Sequence, residues 1–523
     1  MSEDSRAERR PAAQIRLADV LASLSQVADL GFGLPAEDSM RACLIAMALG
    51  RHLGLPDPEL ADVYYTTLLQ HIGCTGFAHE TAQRYGDELV VNAAAARTNL
   101  AERRDVLATY LPAVTRGRGP LVRARIVLRE LLDGDAFGRR YATAACEVGQ
   151  ATARRLGLPA GVQRGLYEVY EWWNGKGGAQ GLQGEAISLP ARIGQLGATA
   201  ALFVHLGGPE VAIAAVRRQA GGLLDPSLAR AFLADTSAIL AAAEAHDVHL
   251  ACLDAEPAPV RTVPASRLPE LALVIGDVAD LKSAYTLGHS SGVARLATGA
   301  GMALGLDPGT LETLETAALL HDVGRVGVST AIWEHPGPLS ASHWEQVRLH
   351  AYHSERILAR SALAPMAELA GRHHERLDGT GYHRGSRSRE LPLPARLLAA
   401  ADVVQAMSQA RAHRPALAAA DLVRQAELEV RSGRLDQEAT RAVLEVAGHA
   451  ALRVRRETAA GLSQREVQVL RAVARGLSNR EIAERFSISP RTAEHHVQHI
   501  YTKIGASSRA AAALFAMEHD LID

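Results

Sequence analysis

The stretch LGRHLGLPDPELADVYYTTLLQHIGCTG (49–76) lines up without a gap on AGMALGLDPGTLETLETAALLHDVGRVG (300–327), at a constant offset of 251 residues. Further on, YEWWNGKGGAQG (170–181) lines up on HERLDGTGYHRG (374–385), and GLLDPSLARAF (222–232) on GRLDQEATRAV (433–443). Self-similarity over this length means one structural unit written twice. Each copy reads as a string of amphipathic helices. In the second, Val293, Leu296, Ala297, Ala300 and Leu304 recur at helical spacing, while Gly305-Leu306-Asp307-Pro308 and His335-Pro336-Gly337-Pro338 mark breaks. The first copy carries extra sequence between about 80 and 140.

A chain of 523 residues is too long for one core. Its Ala, Leu and Arg content favours helices, so an all-α protein is expected. The expected order is a disordered tail (1–14), a first bundle (15–250), a proline-rich linker (251–270), a second bundle (271–450), a short linker (451–460) and a small C-terminal domain (461–523). The net charge of −2 supplies no global attraction to nucleic acid, so DNA contacts must be local. Cys43, Cys74, Cys146 and Cys252 show no C-x-x-C spacing, which argues against a disulfide framework or a thiolate zinc site and fits a reducing cytoplasm. Neither a signal peptide nor a membrane span is expected, and no membrane partner.

The second copy carries the chemistry. His289, His321-Asp322, His350, His373-His374 and Asp402 follow one another along it. Imidazole and carboxylate together hold Fe, Mn or Zn with positions left open for substrate and water, and a bound metal acidifies its water. One histidine alone is more often a core or surface residue; five separate positions in this order outweigh that. The pieces AYTLGHSSGVA (284–294), AALLHDVGR (317–325), VRLHAYHSERIL (347–358), HHERLDGTGYHRG (373–385) and ARLLAAADVVQAM (395–407) resemble the HD superfamily of metal-dependent phosphohydrolases, and more narrowly its HD-GYP branch. The resemblance spans roughly 285–447 and implies an all-helical HD-type bundle. It implies two divalent ions, Fe or Mn with Zn also compatible, held by His289, His321, Asp322, His350, His373, His374 and Asp402. Asp322 would be shared between the ions, and Asp322 and Arg325 would act in catalysis. The implied substrate is a cyclic dinucleotide, typically cyclic di-GMP, with Arg411 and Arg414 facing its phosphates.

Two positions depart from that pattern. The motif that names the branch ends in Pro, but here it reads Gly381-Tyr382-His383. The lysine that usually follows the His-Asp pair is Arg325, a rigid planar fork that cannot act as an acid near neutral pH. Hydrolysis and sensing without turnover both remain open.

In the first copy the ligand positions correspond to Asp38, Gln70-His71, the neighbourhood of Ala145-Cys146, Val169-Tyr170 and Ala198. Val and Ala cannot coordinate a metal, while Gly73, Gly175, Gly177, Arg192, Leu55, Leu68 and Leu69 are kept. The scaffold is retained and the metal site is not. That leaves a structural pseudo-domain or a ligand sensor using a vacated cleft.

The C-terminal segment opens with Ser463 three residues before Glu466, a capping box. Ala493, Val497, Ile500 and Ile504 form the inner stripe of a helix whose outer face carries Arg491, Thr492, Glu494, His495, Gln498 and His499. Such a helix after a short turn suits the major groove, with Arg491, Thr492 and Lys503 on phosphates and His495, Gln498 and His499 on base edges. LSQREVQVLRAVARGLSNREIAERFSISPRTAEHHVQHIYTKIGASSR (462–509) is similar to the LuxR/NarL-type output domain. That resemblance implies a four-helix unit binding double-stranded DNA as a homodimer on inverted half-sites. Glu494 stands where many members carry Lys.

Overall fold

The computed structural model describes residues 13–449, 461–474 and 477–506, with Ala512, Phe515, Ala516 and Leu521. The chain divides into two compact units, Met1–Leu422 with Leu435–His449, and Val423–Arg434 with Ala450–Asp523.

The first unit holds both copies. The first copy runs through β1 (Gln14–Arg16), α1 (Leu17–Phe32), α2 (Asp38–His52), α3 (Asp57–Leu68), α4 (Ala78–Tyr85), α5 (Glu88–Ala96), α6 (Pro120–Arg155), α7 (Ala160–Glu168), α8 (Leu189–Gly207), α9 (Pro209–Gln219) and α10 (Pro226–Ala234). The second runs through β2 (Thr262–Pro264), α11 (Leu268–Asp280), α12 (His289–Ala303), α13 (Pro308–Leu320), α14 (Thr330–Trp333), α15 (Ala341–Leu358), α16 (Ala364–Gly371), α17 (Leu393–Ser408) and α18 (Gln437–Val446). Proline in the first turn of α3, α8, α13 and α17 occupies positions whose N–H has no helical partner. Gly54 and Gly305, at φ +73° and +77°, follow α2 and α12 in the left-handed conformation that lets each chain turn into its next helix.

The repeat is visible in its hydrogen bonds. Asp29 accepts from the backbone and hydroxyl of Ser39, as Asp280 does from Ser290. Glu171 accepts from the amides of Gln180 and Leu182, as Glu375 does from Arg384 and Ser386. Asp225 caps α10 and binds Arg192, as Asp436 caps α18 and binds Arg396. These carboxylates, all but Asp436 buried, fix loops that an apolar core cannot specify.

The copies share packing. Gly31 of α1 lies against Val326, and Gly327 against Leu30. Thr75 donates to the Val278 carbonyl at 2.9 Å, and Ser23 to that of Ile357 at 3.3 Å. The segment 251–270, expected as a linker, is ordered structure: it holds the end of the helix Val248–Ala255, and β2 pairs antiparallel with β1. Buried Glu256 accepts from Arg16 and Tyr65, which anchors the ribbon. Proline is tolerated there because a two-stranded ribbon consists only of edges. Gln14, expected in the tail, pairs with Pro264 in that ribbon. The rest of the expected tail apart from Ala13, and the linker 451–460, lie outside the described residues.

In the second unit, α19 (Gln464–Ala474), α20 (Asn479–Phe486) and α21 (Pro490–Ile504) pack around Leu462, Leu470, Ile482, Ala493 and Ile500. The expected fourth helix lies outside the described residues except for Ala512, Phe515 and Ala516. Among the described residues, no helix is long and apolar enough to cross a membrane.

Candidate functional site

His289 opens α12, whose first turn is fixed by Asp280 holding Ser290. His321 and Asp322 follow the apolar last turn of α13. His350 lies within α15, His373 and His374 follow α16, and Asp402 sits on α17. These seven side chains converge in the second copy, and all but His374 are buried. Ligand atoms of His289, His321 and Asp322 lie within 4.8 Å of one another, and so do those of His350, His373 and His374. Asp322 reaches both sets of histidines: one oxygen is 3.7 and 3.5 Å from His289 and His321, the other 3.3 and 3.6 Å from His350 and His373. Asp402 likewise turns one oxygen to His289 (3.2 Å) and the other to His374 (3.5 Å).

Backbone carbonyls aim the rings. Nδ1 of His321 meets the Ala318 carbonyl (2.7 Å), Nδ1 of His373 that of Ala370 (2.6 Å), and Nδ1 of His350 that of Val347. An Nδ1–H spent in this way leaves Nε2 as the inward lone pair. Nε2 of His321 is buried with no hydrogen-bond partner among the described residues. Burial pushes the His321 imidazole down to about 4 and lowers those of His350 and His374. Burial opposes ionisation of Asp322 and Asp402, but Arg325 and the imidazoles around Asp322, and the imidazoles of His289, His374 and His321 around Asp402, outweigh it and hold both carboxyls well below their usual range. Neutral imidazoles around ionised carboxylates, with an orphaned inward nitrogen, fit a divalent cation.

Arg325 donates to Asp322 at 2.7 Å, and its guanidinium lies 4.2 Å over the Trp333 ring. Burial lowers Arg411 to about 10; it donates to the Tyr285 carbonyl. Arg414, expected to face a phosphate, makes backbone contacts instead of contacts to the site residues. Its guanidinium donates to the carbonyls of Ala406, Met407, Gln409 and Pro415, so it caps the end of α17. Three neighbours were not among the expected site residues. Gln409 meets Nδ1 of His289 at 2.9 Å, Tyr382 packs on the His374 ring at 4.7 Å, and Trp333 lies against Arg325 and His350. Gln409, two residues before Arg411, could have been noticed; nothing local marks Trp333.

The first copy is filled in. His71 packs on Phe32 with ring centroids 4.5 Å apart, and the Cys74 thiol lies 2.9 Å from the Tyr170 hydroxyl, beside Tyr141. Burial pushes His71 to about 4. Tyr170, at the position of His374, thus meets the Cys74 thiol instead of a metal. The backbone correspondence holds all the same: Gly73 packs on the Ala145 carbonyl as Gly324 does on that of His350. Among the described residues, cation-capable triads occur only in the second copy.

In α21, Ala493, Val497 and Ile500 are buried while Arg491, Thr492, Glu494, His495 and Gln498 are exposed. His499 and Lys503, expected on the DNA face, are exposed and also meet buried Glu466 at 2.8 and 2.9 Å. Glu466 also closes the expected capping box with Ser463, so one carboxylate ties α21 to the start of α19.

A family model described as HD domain matches residues 274–439, and one described as bacterial regulatory proteins, luxR family, matches residues 460–516. The 3'3'-cGAMP-specific phosphodiesterase 3 of Vibrio cholerae is 31% identical over 405 residues, which cover 77% of this chain and 88% of that protein. A cyclic di-GMP phosphodiesterase of Thermotoga maritima is 31% identical over 169 residues, 32% of this chain and 45% of that protein. A crystal structure of a cyclic GMP-AMP-specific phosphodiesterase of V. cholerae aligns with a TM-score of 0.56 at 26% identity, over 83% of this chain and 98% of that one. The chain therefore belongs to the HD-GYP-like HD-domain phosphohydrolase family, as a tandem with a degenerate first copy, joined to a LuxR-type helix-turn-helix domain.

Proposed function

We propose that this chain is a DNA-binding transcription regulator whose second copy hydrolyses a cyclic dinucleotide with the help of two divalent metal ions. The observation that carries the enzymatic half is the position of Asp322, one oxygen toward each histidine pair. The metals, when bound, supply positive charge that stabilises the anionic transition state of phosphodiester cleavage and acidify water. The residues that would hold them are His289, His321, Asp322, His350, His373, His374 and Asp402. Arg325 orients Asp322, and Arg411 adds a partly buried positive charge for phosphate oxygens. The relative matched over most of the chain is named for 3'3'-cGAMP, which makes that compound the first substrate to test, beside cyclic di-GMP.

The regulatory half rests on the exposed face of α21. Arg491 and Thr492 lie at its start, where an N-terminus meets phosphate, and His495 and Gln498 point outward for base edges. Affinity is expected to come from a homodimer on paired half-sites in the cytoplasm.

Metal content of the purified chain, followed by turnover of 3'3'-cGAMP and cyclic di-GMP with Mn or Fe, tests the first half. His321→Ala and Asp322→Asn should lose both metal and turnover, and a fully metallated wild type inert toward both compounds would exclude hydrolysis of them. Tight nucleotide binding without turnover would favour the sensor reading, which Arg325 supports because a guanidinium cannot donate a proton near neutral pH. A DNA selection with the full chain tests the second half; Arg491→Ala should weaken binding and reduce its salt dependence.

A further inference from the structure

We propose that the first copy supplies the support for the second copy's arginine: Glu88 and His79 position α14, and α14 carries Trp333 under Arg325. This rests on the reading of the second copy as the hydrolytic site.

Glu88 opens α5 and is fully buried, as is Lys282, whose ammonium lies 2.8 Å from it. Burial opposes ionisation of Glu88, but Lys282 wins and lowers its carboxyl. One Glu88 oxygen accepts from the amide (2.8 Å) and the hydroxyl (2.9 Å) of Thr330, the other from Ser329 (3.2 Å). A first-copy carboxylate therefore holds the start of α14. Its other end is held as well: Glu334 meets His79 of α4 at 2.6 Å and accepts from Ser283 at 2.7 Å. Between these anchors, the Trp333 indole donates to the Arg325 carbonyl (3.3 Å) and its ring sits 4.2 Å from the guanidinium that donates to Asp322.

The arrangement is not inherited from the repeat. At the offset of 251, Lys282 corresponds to Gly31, while Glu88 lies in the extra sequence of the first copy and has no counterpart in the second. Each polar partner belongs to one copy alone, so the contact is asymmetric. It runs from the copy without metal ligands to the copy that has them. A buried ion pair contributes little net stability, because desolvation offsets the attraction. What Glu88 adds is direction: an acceptor at a fixed place for the backbone of α14.

The test uses the full chain in two neutral forms. Glu88→Gln/Lys282→Met keeps an acceptor for Thr330, and Glu88→Leu/Lys282→Met removes it; both avoid a lone buried charge. The Leu/Met form should lose about tenfold in kcat on a cyclic dinucleotide with KM nearly unchanged, as Trp333→Leu should, since displacing a supporting group acts on the reacting geometry. The Gln/Met form should keep most of its kcat. Adding Trp333→Leu to the Leu/Met form should cost no more than Trp333→Leu alone; additive losses, or equal kcat in the Gln/Met and Leu/Met forms, overturn the proposal. A second readout needs no turnover. In metal-free protein, acrylamide quenching of the fluorescence assigned to Trp333 by difference from Trp333→Phe should rise in the Leu/Met form and not in the Gln/Met form. Unchanged quenching in both overturns the positioning even if the chain hydrolyses nothing.

Discussion

Two arginines three residues apart show how little a side chain's identity says about its task. Arg411 feels burial and Arg325, which oppose its charge, and Asp402 and Asp322, which favour it, whereas Arg414 spends its guanidinium on four carbonyls. Arg414→Ala should lower stability by about 1 kcal/mol, because partly buried carbonyls at the end of α17 lose their donor, with KM for a cyclic dinucleotide unchanged. Arg411→Ala should raise KM and leave the melting temperature closer to wild type. Thermal melts and steady-state kinetics on the two variants separate these outcomes. Glu466 offers a pH test. Burial opposes its ionisation, but Ser463, Lys503 and His499 hold it at about 2, below its ordinary 4.5. The folded-state value is depressed, so its contribution is present above 4.5 and is lost as pH falls toward 2. Unfolding of the C-terminal unit, followed by circular dichroism, should show acid sensitivity in that window, and Glu466→Gln should flatten it while lowering stability at neutral pH.

Among the elements, the tight loop after each His-Asp position matters most. A Cβ on Gly324 would fall 2.1 Å from the His350 carbonyl oxygen, and one on Gly73 1.9 Å from that of Ala145. Either Gly→Ala change forces a shift between the loop and the long helix beside it, costing about 1–3 kcal/mol. Only Gly324→Ala should also weaken metal binding, because α15 carries His350. Calorimetry of both variants with and without Mn measures the difference. The helices themselves were legible, since apolar spacing, first-turn prolines and the Asp307 cap are local signals. The ordered ribbon of β1 and β2 was not legible, because its strands are 248 residues apart in register and only three residues long. Proline content there reads as linker until Glu256 is seen to hold Arg16 and Tyr65.

At the scale of the whole molecule, the copies behave as one folding unit because α1 and its loop pack on the second copy. Expression of residues 268–449 alone should give aggregating protein, since that surface is apolar and would be uncovered. Deletion of 461–523 should leave cyclic-dinucleotide turnover intact and abolish DNA binding; loss of turnover on that deletion would argue that the output domain is required for the site. Gel filtration and the two assays decide both points.

By itself, the sequence determined that one helical unit occurs twice, that the second copy alone keeps the histidines and aspartates of a metal site, and that a helix-turn-helix follows. Those features are carried by residue type and short-range spacing. The tertiary structure alone decided that Arg414 serves a helix end, that His499 and Lys503 are held by Glu466, and that first-copy side chains grip α14. The last two are contacts between residues distant in sequence, and all three are set by side-chain direction, which residue type and spacing do not encode.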